Sequence, residues 1–354
     1  MCGYYCPHAI PLRIFHERQS TMNFKQKTTL TLAGIALAAI NIAAAQTTLL
    51  NASYDVSREF YKDINTAFVA HYKQTTGKDI QINQAHGGSS AQARAVNDGL
   101  DADVVTMNTT TDIDFLARTG MVAKDWARQF PNHAAPTSST MLFLVRQGNP
   151  KGIKDWDDLI RPGVQVIVVN PKTGGNGRMA YLAAWGAVRH KGGTDTEAFE
   201  FLRRLYKNVP LLAKGGRDAT AIFLQRQMGD VLITFESEVV SVNKEFGAGK
   251  VEIIYPSSSI VADNPVAIVE RSVVKKGTGD AARAYLNFLY SDDAQEIAAR
   301  HAIRPSNAAI LKKYVSTFRP IELFTAEHYF GSLATAQKVH FKDGGQFDKL
   351  YTVK

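Results

Sequence analysis

The sequence predicts an α/β protein of two lobes with a ligand cleft between them. Three observations carry that expectation. Strand-like and helix-like segments alternate along most of the chain, which implies mostly parallel sheets covered on both faces. A Pro-containing stretch, Pro131 to Pro136, separates two such series. Four short loops rich in Gly, Ser, Asn or Asp each sit between a predicted strand and a predicted helix: Ser53-Tyr54-Asp55, Gly87-Gly88-Ser89-Ser90, Thr173 to Gly177, and Gly215-Gly216-Arg217-Asp218. The cleft is expected where loops at strand C-terminal ends meet.

Leu49 to Ser53 reads as the first strand. Asp55 to Thr76 follows as a helix, with Phe60, Ile64 and Phe68 on one face and Gly77 as its stop. Ile80 and Ile82 alternate as a second strand, Ser89 to Gly99 is helical, Asp103 to Met107 is a third strand, and Asp112 to Thr119 a helix. In the second series Met141 to Arg146 and Val164 to Val169 read as strands and Arg178 to His190 as a helix. Thr194 to Asn208 is a further helix, in which Thr194 and Glu197 fit a capping box. Leu211-Leu212 and Val231 to Phe235 are strands, Ser237 to Phe246 a helix, and Val251 to Tyr255 and Pro265 to Val269 strands, with several helices after them. The expected division is lobe I from 46–135 plus 251–354, its C-terminal helices packing across the lobes, and lobe II from 136–250.

The N-terminal region reads as targeting sequence. Met22, Lys25 and Lys27 precede an apolar run from Leu30 to Ile42, then Ala43-Ala44-Ala45 before Gln46, which is the pattern of a signal peptide with an A-x-A cleavage site. The run is too short to span a bilayer. Residues 1–21, with Pro7, Pro11, Arg13 and Arg18, are a poor start for export and read as an over-extended gene start, so that 22–45 is the signal peptide. The periplasm is the expected location. Both cysteines, Cys2 and Cys6, fall in that extension, which excludes a disulfide scaffold and a Cys-ligated metal site from the exported chain.

About 310 residues then remain, enough for two lobes. The net charge is +8; residues 1–45 carry Arg13, Arg18, Lys25 and Lys27 against Glu17, a surplus of three, which leaves +5. That surplus suits an anionic ligand. Nucleic acid is disfavoured, because basic residues are scattered among acids and no run combines them with stacking aromatics.

Each of the four loops leaves unpaired N–H groups at the positive end of a helix, which is an anion site in kind. Taken singly, any of them is an ordinary helix entry, Ser89 an N-cap, Phe235 a core aromatic and His86 a packed histidine. Arg178 and Arg217 stand just after the two second-lobe loops and are expected to support the cleft rather than touch the ligand.

The residues also carry a resemblance. Leu49 to Asn51 through Ser53 to Glu59, His86-Gly87-Gly88-Ser89, Phe143 to Arg146 with Gly148-Asn149-Pro150, Asn170-Pro171-Lys172, Tyr181 to Gly186, Gly229 to Ile233, and His340-Phe341 with Gly344-Gly345 resemble the periplasmic sulfate- and thiosulfate-binding proteins of ABC importers. The likeness runs from Leu49 to Leu350. It implies a type II periplasmic binding fold and a desolvated oxyanion held mainly by backbone N–H groups. Carried over by position, the ligand-binding places are Asp55 and Ser89 in the first lobe and Gly174, Gly175, Asn176, Gly216 and Phe235 in the second. Asp55 is expected to give its N–H and turn its carboxylate away as an N-cap. Two positions depart from the sulfate pattern: Gly174 stands where a Ser donates its hydroxyl, and Phe235 where a Trp donates its indole N–H. Phe235 and Asn176 look more like the thiosulfate branch, where an aromatic face meets a larger, softer sulfur.

The resemblance implies a receptor without catalytic residues, cofactor or metal, a monomer whose partners are the anion and the membrane subunits of an importer. Rival readings fare less well. There is no G-x-S-x-G elbow for an exported hydrolase, Gly174 to Arg178 lacks P-loop spacing, and the nine His are dispersed. A receptor for another tetrahedral oxyanion, phosphate or molybdate, stays open.

Overall fold

The computed structural model describes residues 46–245 and 249–351. The gene-start extension, the signal peptide and the end of the helix expected to reach Phe246 lie outside the described residues. Two separate sheets, each with its own apolar core, form the body of the molecule.

The first sheet has the strand order Val266–Ile268, Val104–Thr106, Thr47–Tyr54, Ile80–Gly87. The last three run parallel, and 266–268 returns antiparallel beside 104–106. Helix Arg58–Thr76 covers it with the predicted stripe, since Phe60, Ile64 and Phe68 are all buried. Gly77 ends that helix at φ 71°, a conformation open to glycine, and its N–H closes on Lys73 O at 2.9 Å. The helix does not begin at Asp55: residues Asp55–Ser57 form a separate 3₁₀ turn, because Ser57 leaves helical geometry at ψ 6°.

The second sheet has the order Leu212–Ala213, Val166–Val169, Val231–Phe235, Met141–Arg146, Val251–Ile254. Strand 141–146 shows why it needs both faces covered. Met141, Phe143 and Val145 face one core, with Trp156, Tyr181 and Phe347, while Leu142 and Leu144 face another, with Phe223 and Leu232. The capping box at Thr194 and Glu197 is present and opens helix Asp195–Lys207. Helix Gly175–His190 starts three residues before the predicted Arg178.

The division of the chain differs from the sequence reading. Strand 251–254 pairs with 141–146, and Phe324, Phe330, Phe341, Phe347 and Leu350 belong to the core of the second sheet. Phe324 explains part of this: its ring fills the space beside Gly186, where a Cβ would stand 2.2 Å from ring carbon Cε2. The 251–354 segment is therefore shared, with 266–303 on the first core and 322–350 on the second. Between the lobes, Thr137–Ser139 pairs antiparallel with Ala262–Asn264 and with Arg304–Pro305. Beside this connection Arg304 forms a two-point ion pair with buried Glu236, Nε to Oε2 at 2.7 Å and Nη2 to Oε1 at 3.0 Å.

Candidate functional site: helix starts meeting across the cleft

All four predicted loops converge, and a fifth joins them. A Cβ on Gly88 would lie 3.6 Å from Thr173 O and 4.0 Å from Lys214 O, so the first-lobe loop faces both second-lobe loops. Gly175 faces the Asn108-Thr109 loop so closely that a Cβ would stand 2.0 Å from Asn108 Oδ1. Gly215 and Gly216 face Asp55 and Val56, with hypothetical Cβ distances of 2.9 Å to Asp55 Oδ2 and 2.7 Å to Val56 Cγ1. At Gly175, Gly215 and Gly216 a Cβ would collide with a side chain of the facing loop, so glycine lets the loops close on one another there.

The free amides follow from where each helix makes its first bond. Arg178 N–H donates to Gly174 O at 3.2 Å, which leaves the amides of Gly175, Asn176 and Gly177 without intrahelical partners. Ala219 N–H donates to Gly215 O at 3.0 Å and frees Gly216 likewise, and Ala91 N–H to Gly88 O at 2.8 Å leaves Ser89 and Ser90. Gly174 is different, since its own N–H is taken by Asn170 O at 3.1 Å. The Ser89 hydroxyl is turned into the first lobe, donating to Met107 Sδ at 3.4 Å and accepting from Asn108 N–H at 3.3 Å. Phe235 is buried in the second-lobe core at the end of its strand.

Asp55 behaves unlike the expected N-cap. Its Oδ1 accepts from Val56 N–H at 3.1 Å, and its Oδ2 reaches across to Arg217 N–H at 3.3 Å on the other lobe. A carboxylate is stabilised at a helix N-terminus, here that of Gly216–Leu224, so it turns toward the cleft instead of away. Burial raises its pKa, opposed by the N–H groups of Arg217 and Val56.

The supporting residues point away from the ring of amides. Arg178, 8 % exposed, is an interlobe clamp: Nη2 bonds Asp112 Oδ1 at 3.0 Å and the Ser90 hydroxyl, and Nη1 bonds Thr111 Oγ1 at 3.3 Å and Gln337 Oε1 at 3.1 Å. Arg217 pairs with Glu59. His86 Nδ1 meets Ser53 Oγ at 3.1 Å, Ser53 Oγ meets Ser57 Oγ at 2.8 Å, and His86 Nε2 meets Gln84 Oε1, so the ring braces the turn that carries Asp55. Burial, then the charge of Arg58, lowers the His86 pKa.

Under the second-lobe loops lies a chain that the sequence did not reveal. Asn176 Nδ2 donates to Thr234 Oγ1 at 2.9 Å, which donates to Glu238 Oε2 at 3.1 Å, and Thr220 Oγ1 donates to Glu238 Oε1 at 2.5 Å. Burial first, and the Asp55 charge second, push the Glu238 carboxyl up to about 7. Asn108 and Thr109 were missed although they obey the same rule, a polar strand-to-helix loop after Val104–Thr106, because the loop contains no glycine. Among the described residues no cluster of His, Cys, Asp and Glu suits a metal ion.

Residues 51–304 match the profile described as bacterial extracellular solute-binding protein. The chain belongs to that family. It is 52% identical over 321 residues to a thiosulfate-binding protein of Pseudomonas aeruginosa, covering 90% of this chain and 96% of that one. It is 48% identical over 315 residues to a sulfate-binding protein of Escherichia coli, covering 89% and 96%. The solved structure of the sulfate-binding protein SubI from Mycobacterium tuberculosis superposes with a TM-score of 0.76 at 31% identity, covering 83% of this chain and 99% of that one. The family is one of two-lobed solute receptors, which fits a site built from loops of both lobes.

Proposed function

We propose that this solute-binding protein is the periplasmic receptor of an ABC importer for thiosulfate or sulfate. The observation that carries the reading is the ring of free helix-start amides, from Ser89 in one lobe and Gly175, Asn176 and Gly216 in the other. Sulfate and thiosulfate accept hydrogen bonds and donate none at neutral pH, so donors without a free acceptor are the complementary lining. Arg178 and Arg217 spend their charge on Asp112 and Glu59, and act by holding the lobes and helix starts in place. Phe235 and Gly174 supply room rather than hydrogen bonds. The site performs no chemistry. Its output is a closed shape, stabilised by the anion and recognised by the importer's membrane subunits, with the receptor acting as a monomer.

Calorimetric titration of the ligand-stripped mature protein with thiosulfate, sulfate, phosphate and molybdate tests this. Thiosulfate or sulfate should bind at one site far more tightly than phosphate, whose proton needs an acceptor that a ring of amide donors does not offer. Tight phosphate binding with weak response to both sulfur oxyanions would overturn it.

A further inference from the structure

Beside the cleft, where the Arg178 side chain leaves it, a groove of about 490 Å³ runs between the lobes. Its walls come from helices Ser89–Asn97 and Thr110–Arg118 of the first lobe, and from Arg178 and the Gln337-Lys338 turn packed with the second. Exposed Arg94, Arg118 and Lys338 line it, and among the described residues neither Arg94 nor Lys338 has a carboxylate partner. The floor holds an unusual pair. Arg178 is 8 % exposed and its Nε has no hydrogen-bond partner; Asp112 is 4 % exposed and its Oδ2 has none either. Half-buried Phe115 adds an apolar wall.

Exposed Arg94 and Lys338, without carboxylate partners, call for negative charge, and the volume falls in the range of sites for small organic molecules, well above what a lone tetrahedral anion fills. We propose that this groove is a second ligand site, for a small organic polyanion: Arg94, Arg118 and Lys338 hold its negative groups over the floor closed by the Arg178–Asp112 ion pair. The site differs in kind from the ring of amides, because side-chain cations rather than backbone N–H groups supply its attraction. It is assembled only when the lobes meet, so an occupant stabilises the closed arrangement.

Citrate, with three carboxylates, is the probe. It is titrated calorimetrically into the ligand-stripped mature chain at fixed ionic strength, alone and with saturating thiosulfate, for the native protein and for the Arg94→Gln/Lys338→Gln double variant. Citrate should bind one site per chain, survive thiosulfate saturation, and weaken about tenfold or more in the double variant, which should keep native thiosulfate affinity. No citrate signal above a salt-matched control, displacement of citrate by thiosulfate, or equal citrate affinity in the double variant would each overturn the proposal. The citrate arm stands alone, so a protein that ignored thiosulfate but bound citrate through Arg94 and Lys338 would refute the cleft reading and leave this one intact.

Discussion

Replacing Glu238 by Gln isolates the energetic cost of keeping a carboxyl under the second-lobe amides. The side chain is 5 % exposed, and its pKa is pushed from the ordinary 4.5 up to about 7, chiefly by burial and then by the Asp55 charge. In the unfolded chain the group titrates near 4.5, so below that pH both states are protonated and no penalty exists. Between 4.5 and about 7 the folded state holds a proton that the unfolded state has lost, and stability falls as pH rises. Above about 7 both states are ionised and the penalty is complete. A shift of about 2.5 units is worth about 3 kcal/mol at 1.36 kcal/mol per unit. Glu238→Gln has nearly the same shape and keeps hydrogen-bonding capacity toward Thr220 and Thr234, but carries no charge. Urea unfolding of the ligand-free protein and the variant, followed at pH values from about 4.5 to 8.5, should show the variant gaining about 3 kcal/mol relative to the native chain across that range. A constant difference at every pH would refute the argument, because it would mean that Glu238 has no raised pKa in the folded state.

Gly175→Ala should weaken anion binding at least about tenfold, since the new Cβ would stand 2.0 Å from Asn108 Oδ1, and Asn108→Ala in the same chain should restore part of the loss; unchanged titration curves for Gly175→Ala would contradict the loop contact. Binding should change little between low and high concentrations of a non-competing salt, because neutral amides and not Lys or Arg meet the anion, whereas a steep salt slope abolished by removing one basic residue would point to an ion-pairing site. Gly174→Ser with Phe235→Trp should favour sulfate over thiosulfate by up to about 2 kcal/mol from two added donors, less the strain of a Cβ 2.9 Å from Val169 Cγ1; both single variants are measured alongside, and equal changes for the two anions would remove selectivity from these positions. The mature protein should begin at Gln46 and be released by osmotic shock, and an intact mass that retains residues 1–21 would refute the processing scheme.

What could be read from the chain was whatever depends on neighbours in sequence. The stripe Phe60, Ile64, Phe68 announced its helix, Thr194 and Glu197 announced a capping box, and glycine-bearing loops announced free amides, because each rule acts within a few residues. What stayed hidden depends on partners far along the chain. Nothing local says that Arg178 will reach Asp112, that Asp55 will turn toward Arg217, or that Glu238 will be sealed beneath Gly216. The C-terminal helices of 251–354 are expected to pack across the lobes, but which core 322–350 fills is not legible locally, since its apolar residues fit either core until the ring of Phe324 is seen against Gly186.

The sharing of the C-terminal segment has a consequence for biosynthesis. The core of the second lobe joins Met141 and Phe143 to Phe324, Phe341, Phe347 and Leu350, and the first core joins Leu49 and Phe68 to residues within 266–303. Neither core can close before segments from distant parts of the chain have met. Until they meet, the chain is loose polymer, the state in which a thread can pass through a narrow membrane pore. The order in which the two cores are stitched together keeps the molecule transportable first and compact only afterwards.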